Sequence, residues 1–422
     1  MIRFYNGLVL SFGGGIKVLP GEVWTDGDRI SYVGEKRTDM PPFEREIDLN
    51  GDVVMPSFKN AHTHSAMTFL RSYADDLPLH DWLFDRVFPM EAKATPELIY
   101  VMTKIAVMEY LTSGISASFD MYYHNDEYVR ANLDCGFRTV ICGALNDFDK
   151  DPEDTEREFL KFNAISPLIG YRLGLHAEYT TGMERIKYMA GLIQKYKAPF
   201  FVHNSETKAE VEGCIERHGM TPTELFDSLG MYDYGGGGYH CVWMSQHDIE
   251  IFKKRGLWAV TNPASNMKLA SGIAPICALM DAGVKLAIGT DGAASNNALD
   301  MFREMYLTTV LQKYSLNDAA ACDANRVLEM ACVGGAGAMG LEGCDDIAPG
   351  KTADIIVIDM HRPNMRPMHN ISKNIVYAGS KENVRLTMVN GVIRYENGEF
   401  NIGADPEEIY ARAEELLRKT EE

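Results

Sequence analysis

Two patterns of hydrophobic and polar residues alternate along the chain. Up to about residue 55, short apolar runs such as residues 29–33 are separated by turn sequences such as Asp26-Gly-Asp, which is typical of short strands. Residues 96–112 then place apolar side chains three and four positions apart, a spacing that predicts an amphipathic helix. Past residue 348 the strand-like runs return, and Asn390-Gly indicates a hairpin turn between two of them.

Strand-like and helix-like segments alternate through the middle of the chain. The predicted strands are 114–121, 138–144, 171–176, 199–203, 238–242, 257–261 and 285–289, and the predicted helices between them include 182–196, 207–217 and 273–282. Such alternation predicts a parallel sheet, and a closed (β/α)₈ barrel is the commonest solution at this size. We therefore predict a catalytic barrel over residues 56–347, a β-sandwich composed of residues 1–55 and 348–403, and a C-terminal helix within 404–422.

Charge and composition narrow the class of protein. The formal net charge of −19 argues against nucleic acid or an anionic membrane as a general partner, because long-range repulsion would oppose both. The apolar runs are shorter than the roughly 20 residues that a membrane helix needs, and the N-terminus lacks a signal-peptide pattern. The eight cysteines form no C-x-x-C pair, which indicates reduced thiols. These features predict a cytoplasmic protein. The net charge says little about a small-molecule substrate, which responds to the local charges of its site.

Two histidines, His62 and His64, follow the apolar run that precedes the barrel. In a strand, side chains two positions apart point to the same face, so both imidazoles can aim at one point. Zinc and neighbouring metals accept neutral imidazole as a ligand. Taken alone, however, an H-x-H pair is a weak motif, and two strand-end histidines without a metal are the simpler interpretation.

Further polar residues fall at the ends of predicted strands. They are Asp120, His176, His203, His240 and Asp291. Because the carboxyl ends of barrel strands meet at the mouth where such barrels do chemistry, these side chains are expected to lie close together. Five of the 11 histidines end predicted strands, which favours a metal site over isolated structural histidines. Glu206 comes three residues after His203; by itself it would be interpreted as a solvated carboxylate at a helix start.

Ordered segments along nearly the whole chain carry a family resemblance. They are Asn60-Ala-His-Thr-His, Arg71-Ser-Tyr-Ala-Asp-Asp-Leu-Pro-Leu with Trp82, His203-Asn-Ser-Glu-Thr, His240-Cys-Val, Asn262-Pro-Ala-Ser-Asn-Met-Lys-Leu-Ala-Ser-Gly, Gly289-Thr-Asp-Gly-Ala-Ala-Ser-Asn-Asn and Pro349-Gly-Lys-Thr-Ala-Asp. The chain resembles the amidohydrolase superfamily in its cytosine-deaminase and triazine-hydrolase branch. Within that branch it is most similar to the S-adenosylhomocysteine/5′-methylthioadenosine deaminases.

The resemblance implies a metal-dependent aminohydrolase that replaces the exocyclic amine of a nitrogen heterocycle, such as an adenine nucleoside, with oxygen. One divalent metal ion, with zinc preferred over iron, would be held by a set of four ligands: His62, His64, His203 and Asp291. A homodimer or homotetramer is the corresponding expectation for the assembly. The metal would lower the pKa of a water molecule to roughly 7, so that it can attack near neutral pH.

The resemblance also implies roles for the other site residues. Asp291 would act as general base toward the water, His240 would orient it, and Glu206 would protonate a ring nitrogen of the substrate. His176 would hydrogen-bond the heterocycle. Trp82 is assigned to the substrate pocket together with Leu77, although a role in the core accounts for either equally well. Ser265, Asn266 and Lys268 are interpreted as a structured loop without a catalytic role.

One departure and two alternatives stay open at this point. The arginine expected to bind a substrate carboxylate falls near Gly143, where this chain has none, so the hypothesis is a substrate with a smaller or neutral tail. The first alternative function is hydrolytic dechlorination or N-dealkylation of a triazine-like ring. The second is a non-catalytic scaffold, which would predict eroded ligand positions, whereas all four are filled here.

Overall fold

Five short strands make up the N-terminal part of the computed structural model, which describes residues 1–148 and 151–421. They are β1 (Ile2–Ser11), β2 (Lys17–Asp26), β3 (Arg29–Gly34), β4 (Arg45–Asp48) and β5 (Val53–Pro56). β1 pairs antiparallel with β2 and parallel with both β4 and β5. Branched apolar residues such as Val23, Ile30 and Val54 are buried in the core of this sheet, as their preference for pleated surfaces predicts.

Eight parallel strands then form the barrel. They are β6 (Phe58–Thr63), β7 (Ile115–Asp120), β8 (Arg138–Cys142), β9 (Ile169–Ala177), β10 (Phe200–Asn204), β11 (Gly236–His240), β12 (Trp258–Thr261) and β13 (Lys285–Ile288). Each strand pairs with the next in chain order. The end of β13 returns to β6, because the N–H of Asp291 donates to the His62 carbonyl at 3.0 Å. All eight strands therefore end at one mouth.

Four strands near the C-terminus complete the first sheet. They are β14 (Ile355–Ile358), β15 (Val384–Val389), β16 (Val392–Glu396) and β17 (Glu399–Phe400). β14 pairs antiparallel with β5, which joins the two ends of the chain in one nine-stranded mixed sheet. The predicted barrel and the predicted association of the two chain ends are thereby confirmed. The division at residues 55/56, 347/348 and 403/404 stays a prediction, and residue 422 lies outside the described residues.

Helices surround the barrel and connect its strands. They are α1 (Leu79–Asp81), α2 (Phe88–Glu91), α3 (Pro96–Thr112), α4 (Asn125–Cys135), α5 (Pro152–Ile165), α6 (Met183–Tyr196), α7 (Lys208–His218), α8 (Pro222–Ser228), α9 (Gln246–Arg255), α10 (Pro263–Lys268), α11 (Ile276–Ala282), α12 (Ala293–Asn296), α13 (Met301–Ser315), α14 (Ala324–Glu329), α15 (Gly335–Met339), α16 (Ile371–Tyr377) and α17 (Pro406–Glu421), with π-helical turns at Trp82–Val87 and Met330–Gly334 and 3₁₀ turns at Ser65–Leu70, Glu178–Thr180, Pro363–Met365 and Lys381–Asn383. α3 has the bounds that its periodicity predicts, and the hydroxyl of Thr95 caps it by accepting from the N–H of Leu98 at 3.2 Å. Within residues 1–148 and 151–421, no helix has both the length and the apolar composition to cross a membrane.

The glycine run before His240 serves close strand packing. Gly236 lies at φ +121°, and a Cβ atom built there would come within 1.8 Å of the Phe200 carbonyl oxygen. A Cβ at Gly237 would come within 2.2 Å of the Trp258 carbonyl oxygen. The absence of side chains lets β11 lie tightly between β10 and β12, and this fixes the point at which His240 leaves the strand.

Candidate active site

The H-x-H pair stands at the mouth of the barrel, at the end of β6. His62 is fully buried, and its Nε2 atom lies 3.6 Å from Asp291 Oδ1. The Nε2 atom of His64 lies 3.2 Å from the same oxygen. The two-residue spacing therefore brings both imidazoles to one carboxylate, as strand geometry predicts.

Two further histidines approach His62 from β10 and β11, which lie across the barrel from β6. His203, on β10, places its Nε2 atom 3.1 Å from His62 Nε2. Ligand atoms of His62, His203 and His240 all lie within 4.8 Å of one another, and so do those of His62, His64 and Asp291. The structure thus brings together the four residues predicted as metal ligands, with His240 beside them.

The Nδ1 atoms of two of these imidazoles contact backbone carbonyl oxygens, and these contacts leave Nε2 to face the centre of the site. His64 Nδ1 lies 2.5 Å from the carbonyl oxygen of Met121, and His203 Nδ1 lies 2.6 Å from that of His176. A carbonyl oxygen can only accept, so Nδ1 carries a proton, and in the neutral imidazole that binds a metal Nε2 presents a lone pair. Convergent imidazole lone pairs and a carboxylate form a donor set that fits a divalent cation such as zinc.

Asp291 is held from behind by two hydroxyl groups. It lies just beyond β13 at φ +58°, a left-handed conformation that is uncommon outside glycine. Its Oδ2 atom accepts from Ser265 Oγ at 2.5 Å and from Ser295 Oγ at 2.7 Å, which leaves Oδ1 facing the histidines. Burial works against charge on both partners, yet their attraction keeps the pKa of Asp291 well below its usual range and raises that of His64 to about 9. The site therefore favours positive charge at this point.

Glu206 lies in the turn between β10 and α7, and it is buried. Ser271 Oγ donates to Glu206 Oε1 at 3.2 Å, and Oε2 lies 3.8 Å from His240 Nε2. The Glu210 carboxylate holds this turn by accepting from the N–H groups of Ser205 and Glu206 at 2.9 and 2.7 Å. Burial is the main cause that raises the pKa of Glu206, so its carboxyl group is suited to hold and donate a proton.

His240 is oriented by a residue of α10. Its Nδ1 atom lies 2.7 Å from Asn266 Oδ1, so the imidazole donates there and keeps its Nε2 lone pair toward Glu206. Asn266 and Ser265 therefore contact the site directly, although the sequence assigned them no catalytic role. The sequence signal that could have indicated these two residues is their position, because α10 begins just after the end of β12 that lies at the barrel mouth.

Asp120 ends β7 but lies outside the metal-ligand clusters. Its carboxylate accepts from the Ser65 N–H at 3.2 Å and from the Ser65 hydroxyl. Burial raises the pKa of Asp120 to about 6. These bonds fix the turn that follows His64, so Asp120 supports the first ligand pair from outside.

A cavity opens above these residues. Its lining includes Trp82 and His176, as predicted, and also Leu79, Phe88 and Glu91. Leu77 is partly buried against the core and is not among the lining residues, so Leu79 takes the place predicted for it. Burial and then the charge of His64 lower the pKa of His176 to about 3, which keeps its imidazole neutral. No local sequence signal marks Glu91, which the segment between β6 and α3 brings to the cavity.

Gly143 cannot serve as the position of a substrate-binding side chain. A Cβ atom there would lie 3.0 Å from Tyr171 Oη and 3.1 Å from the Gly174 nitrogen. Its neighbour Ala144 lines the cavity instead. Among the described lining residues none is a lysine or an arginine. The packing around Gly143 therefore leaves little room for an arginine side chain unless Tyr171 and Gly174 shift.

Comparisons with known proteins agree on one family. A sequence profile described as the amidohydrolase family matches residues 53–394. A 5-methylthioadenosine/S-adenosylhomocysteine deaminase of Thermococcus kodakarensis is 38% identical over 400 residues, which cover 93% of each chain. A 5′-deoxyadenosine deaminase of Methanopyrus kandleri is 35% identical over 426 residues, covering 97% of this chain and 99% of that one. The crystal structure of an adenosine deaminase from Xanthomonas campestris with bound zinc has a TM-score of 0.94 at 30% identity and covers 100% of this chain and 98% of that one.

Proposed function

Because the chain belongs to the amidohydrolase family, we propose that it is a hydrolytic deaminase of adenine nucleosides that uses one zinc ion. The observation that carries this proposal is the convergence of three histidines and Asp291 at the barrel mouth, beside the buried carboxyl group of Glu206. Relatives named for deamination of adenosine, 5′-deoxyadenosine and 5-methylthioadenosine support the substrate class. The zinc-bound relative supports the choice of metal.

His62, His64, His203 and Asp291 would hold the ion, since their ligand atoms converge at the barrel mouth. The chemistry that zinc supplies when bound is a lowered pKa for a coordinated water molecule, to roughly 7. Asp291 would act as the general base toward that water, and Ser265 and Ser295 hold its carboxylate in place by donating to Oδ2.

His240 directs its Nε2 atom at the same water molecule. Its Nδ1–H is engaged by Asn266 at 2.7 Å, so the ring cannot turn away or change tautomer without losing that bond. The orientation of the water therefore depends on the hydrogen bond between His240 and Asn266, an uncharged residue that is not a metal ligand.

The substrate ring is activated from the opposite side by Glu206. Its carboxyl proton passes to the ring nitrogen next to the amine-bearing carbon, so negative charge does not accumulate on the ring during attack. A carbon–oxygen bond forms, the proton held by Asp291 passes to the amine, and the carbon–nitrogen bond breaks to release ammonia. The proton left on the new hydroxyl group returns to the Glu206 carboxylate as the carbonyl group of the product forms. His176 holds a second ring nitrogen of the substrate. In the tautomer whose Nδ1 atom accepts from the Thr180 hydroxyl, 3.0 Å away, the proton of the imidazole lies on Nε2 and is donated to that ring nitrogen.

The outer part of the cavity fits the remainder of a nucleoside. Trp82 and Leu79 contribute an apolar wall that excludes water from the reacting atoms, and the Glu91 carboxylate is an acceptor for sugar hydroxyls. Among the described lining residues there is no lysine or arginine to pair with a carboxylate on the substrate tail. We therefore assign the cavity to nucleosides with a neutral group at the 5′ position.

A substrate panel with matched metal analysis tests this proposal. Ammonia release would be measured for adenosine, 5′-deoxyadenosine, 5′-methylthioadenosine, S-adenosylhomocysteine, guanine, cytosine and a chlorinated triazine. We expect turnover of the neutral adenine nucleosides, weaker turnover of S-adenosylhomocysteine, and one zinc ion for each chain. Turnover restricted to guanine, cytosine or the triazine would contradict the assignment to adenine nucleosides. Equal kcat/KM values for S-adenosylhomocysteine and 5′-methylthioadenosine would contradict only the neutral tail.

A further inference from the structure

Glu304 is a fully buried acid on α13 that the proposed reaction does not use. Its Oε1 atom accepts from Asn296 Nδ2 at 2.7 Å, and its Oε2 atom accepts from the Ala264 N–H at 3.0 Å. Burying an acidic side chain among neutral donors is unfavourable, so we expect this glutamate to have a specific role.

The two partners of Glu304 stand next to the two serines that hold Asp291. Ala264 precedes Ser265 in α10, and Asn296 follows Ser295 in α12. Both serine hydroxyls donate to Asp291 Oδ2. The Glu304 carboxylate therefore connects α10 and α12, the two short helices whose serines donate to the Asp291 side chain.

A second connection reaches the backbone of the same turn. Asn296 Nδ2 also donates to the Thr290 carbonyl at 2.6 Å, and Thr290 immediately precedes Asp291. Since Asp291 has a left-handed backbone conformation, its turn needs external support to persist. Glu304 and Asn296 together provide that support.

We propose that Glu304 is a positioning residue, which fixes α10 and α12 so that Ser265 and Ser295 aim Asp291 Oδ1 at the metal. Each oxygen of the Glu304 carboxylate accepts one N–H bond, whereas glutamine would turn its amide NH₂ group, a donor, toward one of the two N–H groups. The inference rests on the proposed function only in the role that it gives Asp291.

Glu304→Gln tests the proposal, with zinc affinity as the main readout. Zinc binding would be measured by competition with a chromogenic chelator, without substrate, and kcat and KM would be measured with adenosine. We expect zinc affinity and kcat each to fall about tenfold, as is usual when the support of a metal ligand is lost, while KM changes less than about twofold. The matched control is Glu22→Gln, a buried glutamate in β2 that is bonded to Arg3, and we expect it to leave all three quantities within about twofold.

A double-mutant cycle separates positioning from general stability. Where Ser265 and Ser295 are both alanine, Glu304 has no hydroxyls left to position, so adding Glu304→Gln should lower zinc affinity less than about twofold. A full tenfold loss on that background, or wild-type zinc affinity in the single variant, would overturn the proposal.

A second variant covers the case in which Glu304→Gln does not fold. Asn296→Ala removes the bonds to Glu304 Oε1 and to the Thr290 carbonyl while leaving the Ala264 bond in place. It should weaken zinc binding about tenfold, and unchanged affinity in a folded protein would refute the inference. Because zinc binding needs no substrate, a wild-type enzyme that turns over no nucleoside would count against the proposed function and leave this result intact.

Discussion

Replacing Glu206 by glutamine removes a transferable proton and changes little else in the site. The amide oxygen of glutamine can accept the bond from Ser271 Oγ that Glu206 Oε1 accepts at 3.2 Å. Glu206 is not among the side chains that converge as metal ligands. We therefore expect Glu206→Gln to fold normally and to bind zinc as tightly as the wild type.

The loss of activity can be estimated from this geometry. Because the side chain keeps its position and the metal stays bound, the loss of activity reports only the loss of ring protonation. General acid catalysis of this kind contributes about 10²–10⁴-fold to the rate. At about 1.36 kcal/mol for each factor of ten, this corresponds to about 3–5 kcal/mol of transition-state stabilisation. Burial raises the pKa of Glu206, and the protonated form is active, so wild-type activity should decline as pH rises through that pKa. The variant should lack this decline.

The assay is ammonia release from adenosine over a range of pH, with zinc content measured on the same preparations. Ser271→Ala is the matched control, since it removes the bond to Glu206 Oε1 and leaves the proton in place. We expect it to lose much less activity than Glu206→Gln. Turnover of Glu206→Gln within about threefold of the wild type, below the range expected for a general acid, would refute the assignment. Loss of zinc from the variant would show that Glu206 holds the metal instead.

Three other perturbations have defined outcomes. Asn266→Leu removes the acceptor of His240 Nδ1–H, and kcat measured with adenosine should fall about 10–100-fold with unchanged zinc content. Chelation of zinc should abolish turnover and lower the melting temperature by calorimetry, and added zinc should restore both, because ligands that bind only the native state stabilise it. Arg138→Met leaves the buried carboxylate of Asp354 without the cation that lies 3.1 Å away, so urea titration should show a loss of about 3–5 kcal/mol in unfolding free energy.

The features that the sequence predicts correctly are those that depend on strand order. Parallel strands of a barrel end at one mouth, so a histidine at the end of β6 and another at the end of β10 must approach each other, whatever lies between them in sequence. The structure places His62 and His203 with 3.1 Å between their Nε2 atoms. The family profile over residues 53–394 confirms the resemblance drawn from the motifs.

The features that the sequence leaves hidden depend on tertiary contacts between short segments. Ser265 and Asn266 occupy a six-residue helix whose pattern gives no reason to choose them, yet their side chains bond Asp291 and His240. Glu304 lies one turn into a long helix, where an acid is usually solvated, but here it is buried under two connections of the barrel mouth. The roles of these residues depend on which loops and short helices pack together in the folded protein, and a sequence pattern does not show that.

The same limit applies to the position assigned to a missing arginine. Motif spacing points to Gly143, but that position is packed against Tyr171 and Gly174, and Ala144 lines the cavity instead. A shift of one residue along a strand exchanges an inward side for an outward one, and spacing alone does not resolve it. Specificity for the substrate tail therefore has to be judged from the cavity wall, which includes Leu79, Trp82 and Phe88.

The most direct test of the central claim is the fate of water oxygen during turnover. Zinc-loaded protein would be incubated with adenosine in ¹⁸O-enriched water, and the nucleoside product would be analysed by mass spectrometry while ammonia is quantified in the same sample. The account predicts inosine that carries one ¹⁸O atom at the former amine position, with one ammonia released for each inosine. Product without the label, or loss of adenosine without equimolar ammonia, would contradict hydrolytic deamination at this site.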